Sequence, residues 1–78
     1  MPLTDLPAFA SARVTRVRDL TEGDLISHRL RELGFVEGEE IQVVGRGPIG
    51  ADPLLVQIGF TRFALRRSEA ARVEVENV

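Results

Sequence analysis

The 78-residue sequence has no cysteine, no tryptophan, no tyrosine and no lysine, and its one histidine is His28. Without cysteine and with a single histidine, so short a chain cannot be stabilised by a disulfide or by a zinc site of its own. The hydrophobic core therefore has to stabilise the fold by itself. A chain of this length has room for one domain, and no linker or repeat divides it, so we predict a single domain over residues 1–78.

Long apolar runs are also missing. No stretch approaches the roughly 20 residues of a membrane-spanning helix, and the start, Met1 to Asp5, lacks the basic and apolar regions of a signal peptide. We therefore expect a cytoplasmic protein that does not insert into membranes. The net charge is -2, which argues against nucleic acid as the main ligand.

Alternating apolar residues with β-branched neighbours predict short strands, whereas a density of glycine and proline predicts a loop from Gly45 to Pro53. Ser68 is predicted to cap a single helical turn just before the last strand. The later strands follow one another too closely for parallel crossovers. The sequence thus predicts a mainly all-β fold, a small antiparallel barrel of about five strands. The predicted strands cover 12–18 with a bulge at Thr15-Arg16, 41–44, 54–58, 61–66 and 72–76.

One helix interrupts the strands, over about residues 22–33. Ile26, Leu30 and Leu33 form an apolar stripe with helical spacing, and Thr21 is predicted as the N-cap. Gly34 is predicted to end the helix in the left-handed conformation, with Phe35 folding back on Leu30. The stripe suits a docking groove as well as a core, and we expect Leu30, Leu33 and Phe35 to be core residues.

Two stretches and the loop between them resemble a known family. They are Arg29-Leu30-Arg31-Glu32-Leu33-Gly34-Phe35-Val36-Glu37-Gly38, Gly47-Pro48-Ile49-Gly50-Ala51-Asp52-Pro53 and Phe63-Ala64-Leu65-Arg66-Arg67-Ser68-Glu69-Ala70. The order R-L-x-x-L-G-F-x-x-G, a G/P loop ending in D-P, and A-L-R-R-x-E-A is similar to the FeoA proteins of bacterial ferrous iron transport. Ala51 looks like an extra residue before Asp52-Pro53.

The resemblance implies an SH3-like barrel and a non-enzymatic regulatory role in ferrous iron uptake. The implied partner is the cytosolic part of FeoB, a membrane transporter with a GTPase domain. Two alternatives remain open: a free-standing regulatory domain like the C-terminal domain of iron-dependent repressors, or a small-barrel RNA-binding protein. An RNA-binding protein needs exposed aromatic rings on which bases stack, and only Phe9 and Phe60 have no expected role in the core.

Candidate reactive groups are few. His28 and Glu32 lie four residues apart on the predicted helix, but two ligands make only a weak transition-metal site, so we expect a solvated histidine. The serines lack a nucleophile-elbow motif. We expect no catalytic residue, no resident metal and no cofactor.

Partner binding is assigned to two neighbouring features. One is the predicted loop, because loops on a rigid scaffold carry recognition. The other is an arginine cluster that would steer the protein toward an acidic surface, set against the alternative of solvated arginines beside Glu74 and Glu76. The candidate residues are Arg46, Gly47, Pro48, Ile49, Gly50, Asp52, Pro53, Arg62, Arg66 and Arg67.

Overall fold

The computed structural model describes residues 1–78 and contains five strands, two α-helices and a short 3-10 turn at Leu3–Asp5. In chain order the elements are β1 Ser11–Val17, α1 Leu25–Leu33, β2 Glu40–Ile49, β3 Asp52–Ile58, β4 Thr61–Leu65, α2 Arg67–Ala70 and β5 Val73–Asn77. No helix in the structure has both the length and the apolar character needed to cross a bilayer.

The strands form one antiparallel sheet in the order β4-β3-β2-β1-β5. All five strands and α1 contribute side chains to one apolar cluster, so the sheet wraps around a shared core. The edge strands β4 and β5 are not paired with each other, and α2 joins them along the chain. The predicted antiparallel barrel of five strands with one inserted helix is confirmed.

The core is built from the alternation seen in the sequence. Leu54 and Val56 of β3 are buried, and so are Val73 and Val75 of β5. Phe35, the largest fully buried side chain, meets the ring of Phe63 in β4 at a centroid distance of 5.6 Å and a tilt of 56°. Tilted aromatic pairs of this kind stabilise the folded state beyond the contribution from burying the two rings.

Helix α1 begins later than predicted. Its N-cap is Asp24 and not Thr21, because the Asp24 Oδ1 atom accepts from the backbone N–H groups of Ile26 and Ser27 at 3.0 and 3.3 Å. The predicted end is confirmed. Gly34 has a φ of 114°, and the Phe35 N–H donates to the Leu30 carbonyl at 3.1 Å, which is the Schellman arrangement.

The prediction of a loop from Gly45 to Pro53 is wrong. Strand β2 continues to Ile49 and β3 starts at Asp52, so only Gly50 and Ala51 turn the chain. Both have positive φ, 63° and 57°, as in a type I′ hairpin. Two register shifts in the β2–β3 ladder accommodate the glycines and Pro48, because a bulge leaves residues unpaired. The bulge predicted in β1 is confirmed as a register shift between Val14 and Arg16.

The second helix also differs in its cap. Ser68 lies within α2, and the N-cap is Arg66. The Arg66 N–H donates to the Glu69 carboxylate at 2.8 Å, and the Arg67 N–H donates to Asp52 Oδ1 at 3.0 Å. A carboxylate from the neighbouring hairpin thus caps this turn in place of the predicted serine.

Candidate partner-binding surface

The β2–β3 turn carries an exposed apolar side chain on a shallow surface that has both apolar and polar parts. Ile49 is the last residue of β2 before the turn and pairs with Asp52, and its side chain is 82% exposed. The surface encloses about 410 Å³ and is lined by Ile49, Asp52, Pro53, Ala64 and Arg66, which we call the hairpin-tip patch. Four of these five residues lie in β2, β3 or β4, so the sheet holds the patch in place.

Two of the sequence candidates have structural roles in β2. The Arg46 guanidinium donates to the Leu6 carbonyl at 2.5 Å and so holds the N-terminal segment, whose Leu6 is buried, against β2. At Gly47, a Cβ atom would lie 2.1 Å from the carbonyl oxygen of Asp52. Only glycine allows this close approach of the two backbones.

The arginine cluster is divided between two elements. Arg62 lies exposed in β4, where its Nε donates to Gln57 Oε1 at 2.9 Å, and the exposed Arg66 follows β4 as the N-cap of α2. Arg67 opens α2 and is half-buried. The expected acidic neighbours are elsewhere: Glu74 lies on β5, at the opposite edge of the sheet, where it contacts Arg18 at 3.2 Å. None of the ion pairs uses Arg62 or Arg66.

A groove lies between α1 and β4, along the apolar stripe whose spacing suits a docking groove as well as a core. It encloses about 300 Å³, and its walls include Ile26, Arg29 and Leu33 from α1 and Phe63 from β4. The apolar stripe of α1 is only partly buried. Leu30 is 2% exposed and belongs to the core, whereas Ile26 and Leu33 are 37% and 38% exposed and line the groove. The expectation that Leu33 is a core residue is therefore wrong. The signal in the sequence was Arg29 placed between two apolar residues of the same helix face.

The start of α1 is fixed by a buried carboxylate that the sequence reasoning did not single out. Besides capping the helix, Asp24 accepts through Oδ2 from Arg72 Nε at 2.8 Å and from the Leu20 N–H at 2.9 Å. The Arg72 hydrogen bond, with help from Leu20, lowers the pKa of Asp24 from 3.8 to about 2. Arg72 also donates to the Ser68 carbonyl at 2.6 Å, so the same guanidinium connects the start of α1 with α2.

This polar network extends to the surface through Asp19. The Ser27 hydroxyl donates to Asp19, and Arg31 donates to the same carboxylate at 3.1 Å. The Ser27 hydrogen bond and, next, the Arg31 hydrogen bond lower the pKa of Asp19. Arg31 also donates to the Val17 carbonyl at 2.8 Å, so α1 is held to the end of β1. The network positions the helix that forms one wall of the groove.

The donor set does not fit a resident metal. His28 Nε2 and Glu32 Oε1 are 3.3 Å apart on α1, with both side chains about two-thirds exposed. No group of three or more histidine or carboxylate residues comes together anywhere in the chain. A pair of exposed ligands is less than a transition-metal site requires.

Two phenylalanines are exposed, as the sequence reasoning expected. Phe60 is fully exposed in the β3–β4 turn, and Phe9 is 68% exposed before β1. Their rings do not form an aromatic pair, since the one pair in the structure joins Phe35 and Phe63.

The profile of the FeoA domain matches residues 1–77. The Fe(2+) transport protein A/Fe(2+) transporter FeoB fusion protein of Porphyromonas gingivalis (strain ATCC BAA-308 / W83) is 38% identical over 77 residues, which are 97% of this chain. The chain spans 8% of that fusion protein. In the fusion, the region similar to this chain and a FeoB transporter are parts of one polypeptide.

Solved structures show the same fold. A zinc complex of Stenotrophomonas maltophilia FeoA, described as a prokaryotic SH3 domain protein, has a TM-score of 0.91 and 60% identity, covering 97% of this chain and 89% of that one. This agrees with the SH3-like barrel implied by the sequence motifs. A manganese-dependent transcriptional repressor has a TM-score of 0.85 at 15% identity, covering all of this chain and 41% of that one, and shows the fold alone.

Proposed function

The chain belongs to the FeoA family, and on that premise we propose that it is a non-enzymatic cytosolic accessory protein of ferrous iron uptake. In this role it binds the cytosolic part of a FeoB-type transporter and regulates it. The observation that supports this proposal is the Porphyromonas gingivalis fusion, in which a region 38% identical to this chain is joined to a FeoB transporter. Covalent linkage of two binding partners raises their effective concentration, so it is useful where the free partners associate weakly.

The surface that suits this contact is the hairpin-tip patch together with Arg62. It combines one exposed apolar side chain, Ile49, with guanidinium groups that make no ion pair within the chain. Arginine is enriched at interface hot spots, and removing an exposed apolar side chain beside it from water favours binding. Arginines on the rim steer association toward an acidic surface, and salt screens that attraction.

Co-purification with the cognate transporter, or with its cytosolic domain, tests the proposal. We expect complex formation in at least one of three states: without nucleotide, with GDP or with a GTP analogue. Ile49→Ser should weaken the complex. Phe60→Ser is the matched control, because it also removes a highly exposed apolar side chain from a hairpin turn but lies outside the patch.

The affinity for the transporter should also fall as salt rises from 50 to 500 mM, conditions that span weak to strong screening. Absence of a complex in all three nucleotide states would reject the function. A complex that Ile49→Ser and salt leave unchanged would reject the proposed surface but not the partner.

A further inference from the structure

The two edge strands of the sheet are protected differently. Along the free side of β5, the Val75 N–H donates to the Met1 carbonyl at 2.8 Å, and the Met1 amino group donates to the Val75 carbonyl at 2.9 Å. Pro2 and Glu74 form a bridge beside them. The chain itself therefore pairs with the β5 edge, which is one way in which proteins prevent unwanted strand pairing.

Strand β4 has no such cover. Ile58 and Thr61 flank a two-residue turn, which makes them a hydrogen-bonded pair, and the bonding then alternates along the ladder. Phe63 therefore directs its backbone groups at β3, whereas those of Arg62 and Ala64 point outward. The backbone groups of Arg62 and Ala64 take part in no hydrogen bond outside the ladder.

The space next to this bare edge is the groove between α1 and β4. Its apolar surface comes from Ile26, Leu33 and Phe63, which are partly exposed. Its charges are mostly positive, since Arg29 and Arg62 make no ion pair. The one acid in the groove wall, Glu69, already accepts a hydrogen bond from the Arg66 N–H. The groove is therefore complementary to a segment that carries both apolar and acidic side chains.

We propose that the free edge of β4 binds an extended peptide segment of alternating apolar and acidic residues by strand addition. The segment pairs with the outward backbone groups of Arg62 and Ala64. Its apolar side chains enter the groove against Ile26 and Leu33, and its carboxylates meet the arginines. A helix would leave the edge unpaired, whereas an added strand gains main-chain hydrogen bonds as well as side-chain specificity. The assignment of this segment to a partner protein rests on the proposed function.

Amide exchange measured by NMR on the intact chain tests this mode without the transporter. The probe is a blocked decapeptide of alternating glutamate and valine, and the control peptide has lysine in place of glutamate. With saturating glutamate peptide, exchange at the Arg62 and Ala64 amides should slow by about tenfold or more, because amides in a strand ladder are protected. The Phe63 amide, already in the ladder, should change little.

Ala64→Pro removes one outward N–H and leaves the β3 ladder intact, as proline is tolerated on an edge with its N–H side facing solvent. Ala64→Thr is the control, because it alters the side chain and keeps the N–H. We expect the proline variant to bind the peptide about tenfold more weakly or worse, and the threonine variant to bind normally. Should the proline variant fail to fold, the exchange experiment on the unaltered chain still decides.

Three results with the peptides would overturn the proposal: no binding of the glutamate peptide at millimolar concentration, binding without protection of Arg62 and Ala64, or equal binding of the lysine peptide. Protection that rises with protein concentration in the absence of peptide would also overturn it, since it would identify a second copy of the chain as the occupant. None of these outcomes depends on whether the transporter binds, so failure of this binding mode can be distinguished from failure of the proposed function.

Discussion

Replacing Gly47 by alanine should destabilise the protein, because the two strands of the β2–β3 hairpin touch at this residue. An alanine Cβ atom would lie 2.1 Å from the Asp52 carbonyl oxygen, 2.5 Å from its carbon and 2.8 Å from Pro53 Cδ. Ordinary contact begins at 3.4 Å, so the backbone of β3 has to retreat by about 1.3 Å. The atoms in the way are backbone and ring atoms, which cannot rotate aside.

The size of the effect follows from two opposing contributions. Overpacking costs about 1–3 kcal/mol, whereas exchanging glycine for alanine favours the folded state by about 0.4–1 kcal/mol through the unfolded chain. Because the obstructing atoms are backbone and ring atoms, we take the upper end of the overpacking range, about 3 kcal/mol, and subtract a gain of about 1 kcal/mol, so the free energy of unfolding should fall by about 2 kcal/mol. In a domain of this size that loss lowers the Tm by roughly 8–16 °C.

Gly45→Ala is the matched control two residues earlier in the same strand. Its Cβ would contact only the Leu55 side chain, at 3.6 and 3.7 Å, which is ordinary van der Waals distance. This variant should therefore be as stable as the parent or more stable by up to about 1 kcal/mol. Urea unfolding should be followed by far-UV circular dichroism, because the chain has no tryptophan or tyrosine to report by fluorescence. Equal stability of the two variants would refute the close approach at Gly47.

The other predictions concern the core and the Asp24 network. The pKa of Asp24 in the folded protein, about 2, lies below its ordinary value of 3.8, so the ionised carboxylate stabilises the fold fully above pH 3.8 and loses this effect as the pH falls toward 2. The midpoint of urea unfolding, measured from pH 7 to pH 2, should therefore decline in that window. The decline should be smaller in Asp24→Asn. Arg72→Met should raise the pKa of Asp24, as followed by NMR titration of its carboxyl carbon, and an unchanged pKa would remove Arg72 as the cause. Phe35→Ala should cost about 3–5 kcal/mol by urea unfolding because Phe35 is fully buried, whereas Phe60→Ala, at a fully exposed phenylalanine, should change stability by less than about 0.5 kcal/mol. Equal losses would contradict the assignment of Phe35 to the core.

The strands and the end of α1 could be predicted from the sequence because local geometry determines them. Side chains in a strand alternate between faces, so Phe63 and Leu65 identify the inward face of β4 without knowledge of its neighbours. Gly34 followed by Phe35 predicted the helix end for the same reason, since the motif is complete within a few residues. Both features are present in the structure.

The β2–β3 hairpin was mispredicted because its conformation depends on contacts across the sheet. Glycine and proline from Gly45 to Pro53 are typical of a loop, yet the ladder tolerates them through two register shifts. Gly47 is needed for a close approach to Asp52, a relation that spacing along one strand does not encode. A residue that looks like an insertion, Ala51, turns out to complete a two-residue turn.

The candidate site was predicted only in part. Arg62 and Arg66 are exposed as the alternation predicted, but Arg66 lies beyond the end of β4 and caps α2. The separation between α1 and β4 decides whether Leu33 is buried, and helical periodicity says nothing about that separation. Asp24 and Arg72 are 48 residues apart, so their ion pair has no local signal in the sequence.

The pairing of Met1 and Pro2 with β5 has a consequence for self-association. Endless growth of a sheet from copy to copy requires a donor edge and a different acceptor edge on every molecule. Here the second edge is occupied from within, and the end of β2 that extends beyond β1 contains Pro48 and two register shifts. If two copies did meet through β4, they would form a two-fold symmetric dimer, and the assembly would stop there instead of growing into a fibre.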